Sequence, residues 1–264
     1  MTEERIRLAN ELSASEVVYT DIKKNSYGSN QIFVNYGPNA EKLWVQTPKM
    51  HIQFGLSTPM NQKEGQESYY LEPQFDREPT PKQHQLQKFF DDLDKKMLAD
   101  GLKNAKEWFP KIKKPSKAVI EAKYYSMLKR YRDKETGEFT GKYPDRIKFK
   151  ILPGKTKVYD QNRQQVDFRE AIVPGCKVIA VVCPNKIYFT SSNYGMSWYV
   201  FQIQVFPPDR LDGFCILPEE VEVEDVASGM VSESSDVTMT NASTGANTQA
   251  PESDQMKDVE MTDA

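Results

Sequence analysis

Arg146-Ile147-Lys148-Phe149-Lys150-Ile151 alternates a cation with an apolar residue over six positions. A β-strand turns successive side chains to opposite faces, so this stretch has one face that packs and one that carries three cations. Two strand residues separate neighbouring cations by about 7 Å. The phosphates of a polynucleotide strand could follow such a row. A solvated sheet face has the same alternation, so the pattern alone does not choose between them.

Neighbouring segments have the same β character. Ile32–Asn35, Leu43–Val45 and Tyr69–Phe75 read as strands, and Met50, Ile52, Phe54 and Leu56 alternate with polar or small residues as a half-buried strand does. Gly175–Cys183 is apolar on both faces, the signature of a central strand, and Pro184-Asn185 reads as the turn that ends it before Lys186–Thr190 returns. Ser197–Phe206 is a long strand, with Tyr199, Phe201, Ile203 and Val205 on one face and Trp198, Val200, Gln202 and Gln204 on the other. Lys129–Arg132 and Tyr143–Leu152 read as hairpin arms around Gly137 and Gly141. The strand series is interrupted once. Thr80 can cap a helix, Pro81 suits its first position, and Gln83 completes a capping box. Leu86, Phe89, Phe90, Leu93, Met97 and Leu98 then recur at helical spacing, with Gly101 as an end or weak point. A second, short helix is expected over Lys117–Met127. The expected fold is mainly β with helices, a small barrel or curled sheet with one helix over its end.

Charge divides the chain in two. Residues 218–264 hold twelve Asp and Glu against one Lys, a charge of −11, so the formal net charge of −3 leaves +8 on residues 1–217. The acidic stretch is rich in Ser and Thr and has no aromatic residue, too little apolar surface to offset the entropy of ordering. Residues 103–157 are the most basic, with seventeen Lys and Arg against six Asp and Glu, densest at Pro110–Lys117. The expected organisation is an N-terminal extension (1–29), a nucleic-acid-binding domain (30–217) with a basic insertion near 103–157, and a disordered acidic tail (218–264).

Catalytic and metal-binding classes find little support. The sequence has no GxxxxGK[ST], GxSxG or HExxH pattern. Asp91, Asp92 and Asp94 read as a solvated helix face. His51 and His84 are the only histidines, and Cys176, Cys183 and Cys215 form no CxxC pair, so neither a metal site nor a cofactor is expected. The first sixteen residues are charged and lack the apolar segment of a signal peptide, and no stretch reaches membrane-spanning length. The expected protein is a soluble, intracellular non-enzyme.

Binding a single strand without regard to sequence needs cations for phosphates and ring faces for bases. Trp44, Phe54, Tyr69, Tyr70, Tyr131 and Trp198 are the candidate platforms, although rings also dominate cores and some of the six belong there. Lys49, Arg130, Arg132, Arg146, Lys148 and Lys150 are the candidate phosphate contacts. Phe149 and Phe201 are assigned to the core.

Three blocks also carry a family resemblance: Leu43-Trp44-Val45-Gln46-Thr47-Pro48-Lys49-Met50 with Gln53-Phe54-Gly55-Leu56-Ser57, Tyr69-Tyr70-Leu71-Glu72-Pro73-Gln74-Phe75, and Tyr194-Gly195-Met196-Ser197-Trp198-Tyr199. Through them residues 30–208 resemble single-stranded-DNA-binding proteins of large DNA viruses of eukaryotes, a group related to the podophage-type single-stranded-DNA-binding protein. The resemblance implies an OB-like barrel with a helix between its third and fourth strands. It implies an acidic tail that contacts replication proteins and competes with DNA for a basic groove. Phage relatives often finish on an aromatic residue whereas this sequence finishes Met261-Thr262-Asp263-Ala264, so a contact needing a terminal ring is not expected. The function implied is sequence-independent single-stranded DNA binding in replication, recombination or repair, in the host nucleus or at a cytoplasmic viral replication site, with self-association left open. Two alternatives share the charge pattern: an acidic-tailed interaction protein or chaperone for basic proteins, and an RNA-binding protein of the same fold.

Overall fold

A computed structural model describes residues 6–59, 67–208 and 215–216. The acidic stretch 218–264 lies outside the described residues. Within them the strands are β1 (Ile6–Arg7), β2 (Val17–Tyr19), β3 (Lys23–Lys24), β4 (Asn30–Tyr36), β5 (Trp44–Gln46), β6 (Met50–His51), β7 (Tyr69–Leu71), β8 (Leu128–Lys129), β9 (Arg146–Ile147), β10 (Phe149–Ile151), β11 (Lys157–Tyr159), β12 (Lys177–Phe189) and β13 (Tyr194–Phe206). The helices are α1 (Pro81–Lys103), α2 (Ala105–Trp108), α3 (Lys117–Lys123) and α4 (Phe168–Ala171).

The antiparallel pair β12–β13 is the spine. On its far side β12 takes β4, β5 and β6, and β13 takes β10 and β11 in parallel. β10 in turn takes β7. Gln74, just past β7, bridges back to His51 of β6, so the path β6–β12–β13–β10–β7 closes on itself. The fold is thus mainly β with helices and closes as the OB-like barrel expected. β1 to β7 precede α1, and β8 to β13 follow it.

α1 begins with the Thr80 hydroxyl accepting from the Gln83 amide and Pro81 in the first turn, but the expected capping box is not completed: the buried Gln83 side chain donates to the Lys49 carbonyl and to Asp76, each at 3.0 Å, and accepts from the Asp76 amide. Leu86, Phe89, Phe90, Leu93 and Met97 are buried, and the Phe90 ring meets Trp198 at 5.1 Å and Phe149 at 6.2 Å. The helix runs through Gly101, where an added Cβ would lie 2.5 Å from the buried Tyr194 hydroxyl. Glycine there admits a neighbour and does not end the helix. Residues 6–24 also pack on the body. β1 pairs with β5, β2 with β4, and the Tyr19 hydroxyl donates to Asp100 of α1 at 2.8 Å.

Four segments differ from expectation. The strand expected over Met50–Leu56 stops at His51, because Gly55 takes a positive φ of 71° and turns the chain, leaving Phe54 outside. Pro184-Asn185 is no turn: β12 passes through it, with the pairing shifting between Pro184 and Lys186, since proline is accommodated at a bulge. A second shift lies opposite Phe201, where Val181 pairs Gln202 and Val182 pairs Val200. The extra residue reverses the faces of β13. Trp198 and Val200 point inward with Ile203 and Val205, while Tyr199 and Phe201 are only partly buried. Phe149 is core as expected; Phe201 is not. Finally, the helix expected over Lys117–Met127 ends at Lys123, and the next residues are fastened to α1 as described below.

Candidate nucleic-acid interface

The outward face of the β7–β10–β13–β12 layer forms the floor of a cleft of about 920 Å³. Tyr70, Lys150, Tyr199 and Cys183 are register partners across these four strands, so their side chains leave the same face. Three inter-strand steps make that row about 14 Å wide. The next row adds Lys186, paired with Ser197. Lys42 and Trp44 close the side at β5, and Tyr125, Ser126 and Met127 form the opposite wall with Lys129.

Six lysines line the cleft: Lys42, Lys129, Lys148, Lys150, Lys155 and Lys186. Seven rings line it with them: Trp44, Tyr70, Tyr125, Tyr188, Trp198, Tyr199 and Phe201. Its lining includes no carboxylate. Several lysines lie over rings, Lys42 at 4.4 Å from the Trp44 centroid and 5.2 Å from Tyr199, Lys148 at 4.1 Å from Tyr70, and Lys129 at 3.1 Å from Tyr125. The cations and ring faces of the cleft are therefore close neighbours.

The wall is held from α1. Asp94 accepts from the Tyr124 hydroxyl at 2.6 Å, from the Met127 amide at 3.0 Å and from the Ser126 hydroxyl. Asp94 is thus a clamp on Tyr124–Met127 and not a solvated residue. Lys129 donates to the Ser126 carbonyl. Burial pushes the Lys129 ammonium down to about 8, assisted by Lys148 and Arg146 and opposed by Asp94 and Glu72.

The twelve residues singled out from sequence fall into three groups. Trp44, Tyr70, Lys148, Lys150 and Trp198 come together in the cleft. Of these, Trp198 is only 3% exposed, its ring enclosed by Phe89, Phe90 and Phe149, so Tyr199 takes the outward place beside it. Trp44 is 6% exposed and meets Phe201 edge-on at 4.9 Å. Phe54, Arg130, Tyr131, Arg132 and Arg146 line an adjoining hollow that shares Lys129 with the cleft. Arg130 is tied to Asp91 and, at 3.0 Å, to Asp145, and Glu72 lies 3.4 Å from both Arg146 and Lys148. Lys150 makes no ion pair among the described residues.

Lys49 and Tyr69 lie elsewhere. Lys49 sits 3.5 Å from the Phe206 centroid, seven residues along β13 from Tyr199 and so roughly 23 Å away. Tyr69 is paired with Ile151, on the face opposite Tyr70, and its ring meets Phe168 at 5.1 Å and Arg169 at 5.2 Å.

Sequence reading missed Lys42, Lys129, Lys155, Lys186, Tyr125, Tyr188, Tyr199 and Phe201. Lys42 and Lys186 are isolated cations that only strand pairing brings together. The two β13 rings were hidden by the bulge, which no periodicity announces.

A family model described as a family of unknown function (DUF5871) matches residues 82–233, from the start of α1 past the end of β13. The chain belongs to this family. No curated protein matches it. Among solved structures it is similar to the single-stranded DNA-binding protein of bacteriophage Enc34 in complex with ssDNA, at 12% identity and a TM-score of 0.42, over 75% of this chain and 99% of that one. It is similar to gp2.5, a single-stranded DNA-binding protein encoded by bacteriophage T7, at 11% identity and a TM-score of 0.43, over 67% and 98%.

Proposed function

We propose that this DUF5871 protein binds single-stranded DNA without regard to sequence, along the lysine- and ring-lined cleft. The observation that carries the reading is the cleft's composition: six lysines with five rings that are not buried, Tyr70, Tyr125, Tyr188, Tyr199 and Phe201, and no carboxylate in the lining. Lysines on the floor and rims meet phosphates, and Tyr70, Tyr125 and Tyr199 offer faces to bases. A base that takes one of these faces displaces the lysine lying over it, and that lysine is then free to meet the phosphate beside it.

The role extends to replication, recombination or repair of a viral genome, in the host nucleus or at a cytoplasmic replication site. Residues 218–264, with their charge of −11, act as an electrostatic competitor for the cationic surface and as a contact for replication proteins. The resemblance of residues 30–208 and the charge asymmetry of the chain support this finer reading.

A titration of the full-length protein against single-stranded DNA, duplex DNA and RNA of matched length tests it. Single-stranded DNA should bind tightest. A tight preference for duplex would end the proposal, and equal or tighter binding of the ribo-strand would assign the cleft to RNA, where 2′-hydroxyl contacts add affinity.

A further inference from the structure

We infer that the hollow between Phe54 and the β8–β9 hairpin is a second subsite for the same polynucleotide strand, entered from the cleft past Lys129. The inference rests on the reading of the cleft as a single-strand site. The hollow has a volume of about 350 Å³, and its lining holds Lys129, Arg130, Arg132 and Arg146 and no carboxylate. Lys129 lines both spaces, and Glu72, the carboxylate nearest their junction, is already paired with Arg146 and Lys148 at 3.4 Å.

Phe54 gives the hollow its second requirement. Its side chain is 70% exposed, which costs solvation free energy unless something covers it. Yet the turn that presents it is anchored. The Ile52 amide donates to the Cys176 carbonyl at 2.8 Å, and the Gly175 amide donates to the Ile52 carbonyl at 2.7 Å. Gly55, at positive φ, lies so close to Pro174 and the Ile172 carbonyl that a Cβ would sit 3.1 to 3.2 Å from them. The backbone that presents the ring is thus held in place beside the hollow. The facing wall is also fixed, with Tyr131 and Tyr143 edge-to-face at 4.9 Å and Arg130 strutted to Asp145. Arg132 stacks on Phe139 at 3.9 Å and makes no ion pair among the described residues.

A flat ring beside Arg132, the one guanidinium of the hollow with no ion pair among the described residues, suits a planar, anionic ligand, and continuity with the cleft selects the next nucleotides of the bound strand. A carboxylate-rich peptide would satisfy the cations but leaves the ring face unused.

The test is a series of oligodeoxythymidylates of increasing length, titrated by fluorescence anisotropy against the full-length protein, Phe54→Ala and Tyr199→Ala. In the wild type affinity rises as the strand grows long enough to reach from the cleft to the hollow. Phe54→Ala should cut that gain by about fivefold to a hundredfold, the range for loss of one stacked base. Arg132→Ala should flatten the salt dependence by roughly 0.7 in log-log slope, for long strands more than short. A loss in Phe54→Ala that is the same at every length, or absent, overturns the inference and leaves the cleft reading intact if Tyr199→Ala still weakens all lengths. Failure of the wild type to bind any oligomer removes the cleft reading itself. Competition by polyglutamate that Phe54→Ala abolishes, with DNA affinity unchanged, assigns the hollow to a peptide and overturns the inference.

Discussion

Lys129 stands where the cleft and the hollow meet, and its protonation is the most informative property of any one residue. Its folded-state pKa, about 8, is below the ordinary lysine value, so the folded protein binds its proton more weakly than the unfolded chain does. Keeping the ammonium charged in the fold costs free energy in full below about pH 8, and the cost disappears as the unfolded chain also loses its proton near pH 10. The Lys129 contribution to stability therefore rises with pH across that window. Urea unfolding at pH 7.5 and pH 10 should show Lys129→Met gaining more over wild type at the lower pH; a gain independent of pH contradicts this. A bound phosphate favours the charged form, so wild-type affinity for single-stranded DNA should fall between pH 7.5 and 9.5 more steeply than that of Lys129→Met. Among the rings, Tyr199→Ala should cost about 1–3 kcal/mol of binding, and Tyr69→Ala, on the opposite face, far less. Equal losses would mean that the outward face of β13 is not the platform.

α1 and the β12–β13 pair explain how much of the site was legible. The cation–apolar alternation at Arg146–Ile151 needed no tertiary information, and Ile147, Phe149 and Ile151 are buried as it requires. The capping residues of α1 likewise fixed its start. What escaped was the placement of residues by bulges. One extra residue at Phe201 exchanged the faces of Trp198 and Tyr199, so a ring nominated for stacking went to the core and its neighbour took the surface. Bulges follow from pairing with a partner strand, and local sequence does not encode the partner. Gly101 offers a test at this scale. Replacing it with alanine adds helix propensity of roughly 1 kcal/mol but forces a Cβ against the buried Tyr194 hydroxyl. The clash, at about 1–3 kcal/mol, should win, so Gly101→Ala lowers the urea midpoint, and adding Tyr194→Phe recovers part of the loss. A stabilised Gly101→Ala would show that the helix and the β12–β13 hairpin are not packed this closely.

For the whole molecule the governing quantity is the separation of charge, +8 on residues 1–217 and −11 on residues 218–264. The separation was plain in composition; the gathering of Lys42, Lys129, Lys155 and Lys186 with the 146–150 cations was not, because four strands, β8, β9, β10 and β12, and the connections that carry Lys42, Lys148 and Lys155 supply them from different parts of the chain. If the acidic stretch competes for the same surface, its removal should raise affinity for single-stranded DNA, most at low salt, where attraction between opposite charges has its longest range. Lower affinity after removal would make the stretch a contributor to binding instead. The measurement that reaches the central claim most directly is the affinity of the chain without residues 218–264 for a long single strand across a range of salt concentrations. Six cleft lysines neutralising six phosphates predict a log-log slope near −4, with Lys150→Ala reducing its magnitude by about 0.7. Affinity that does not change with salt would contradict the account.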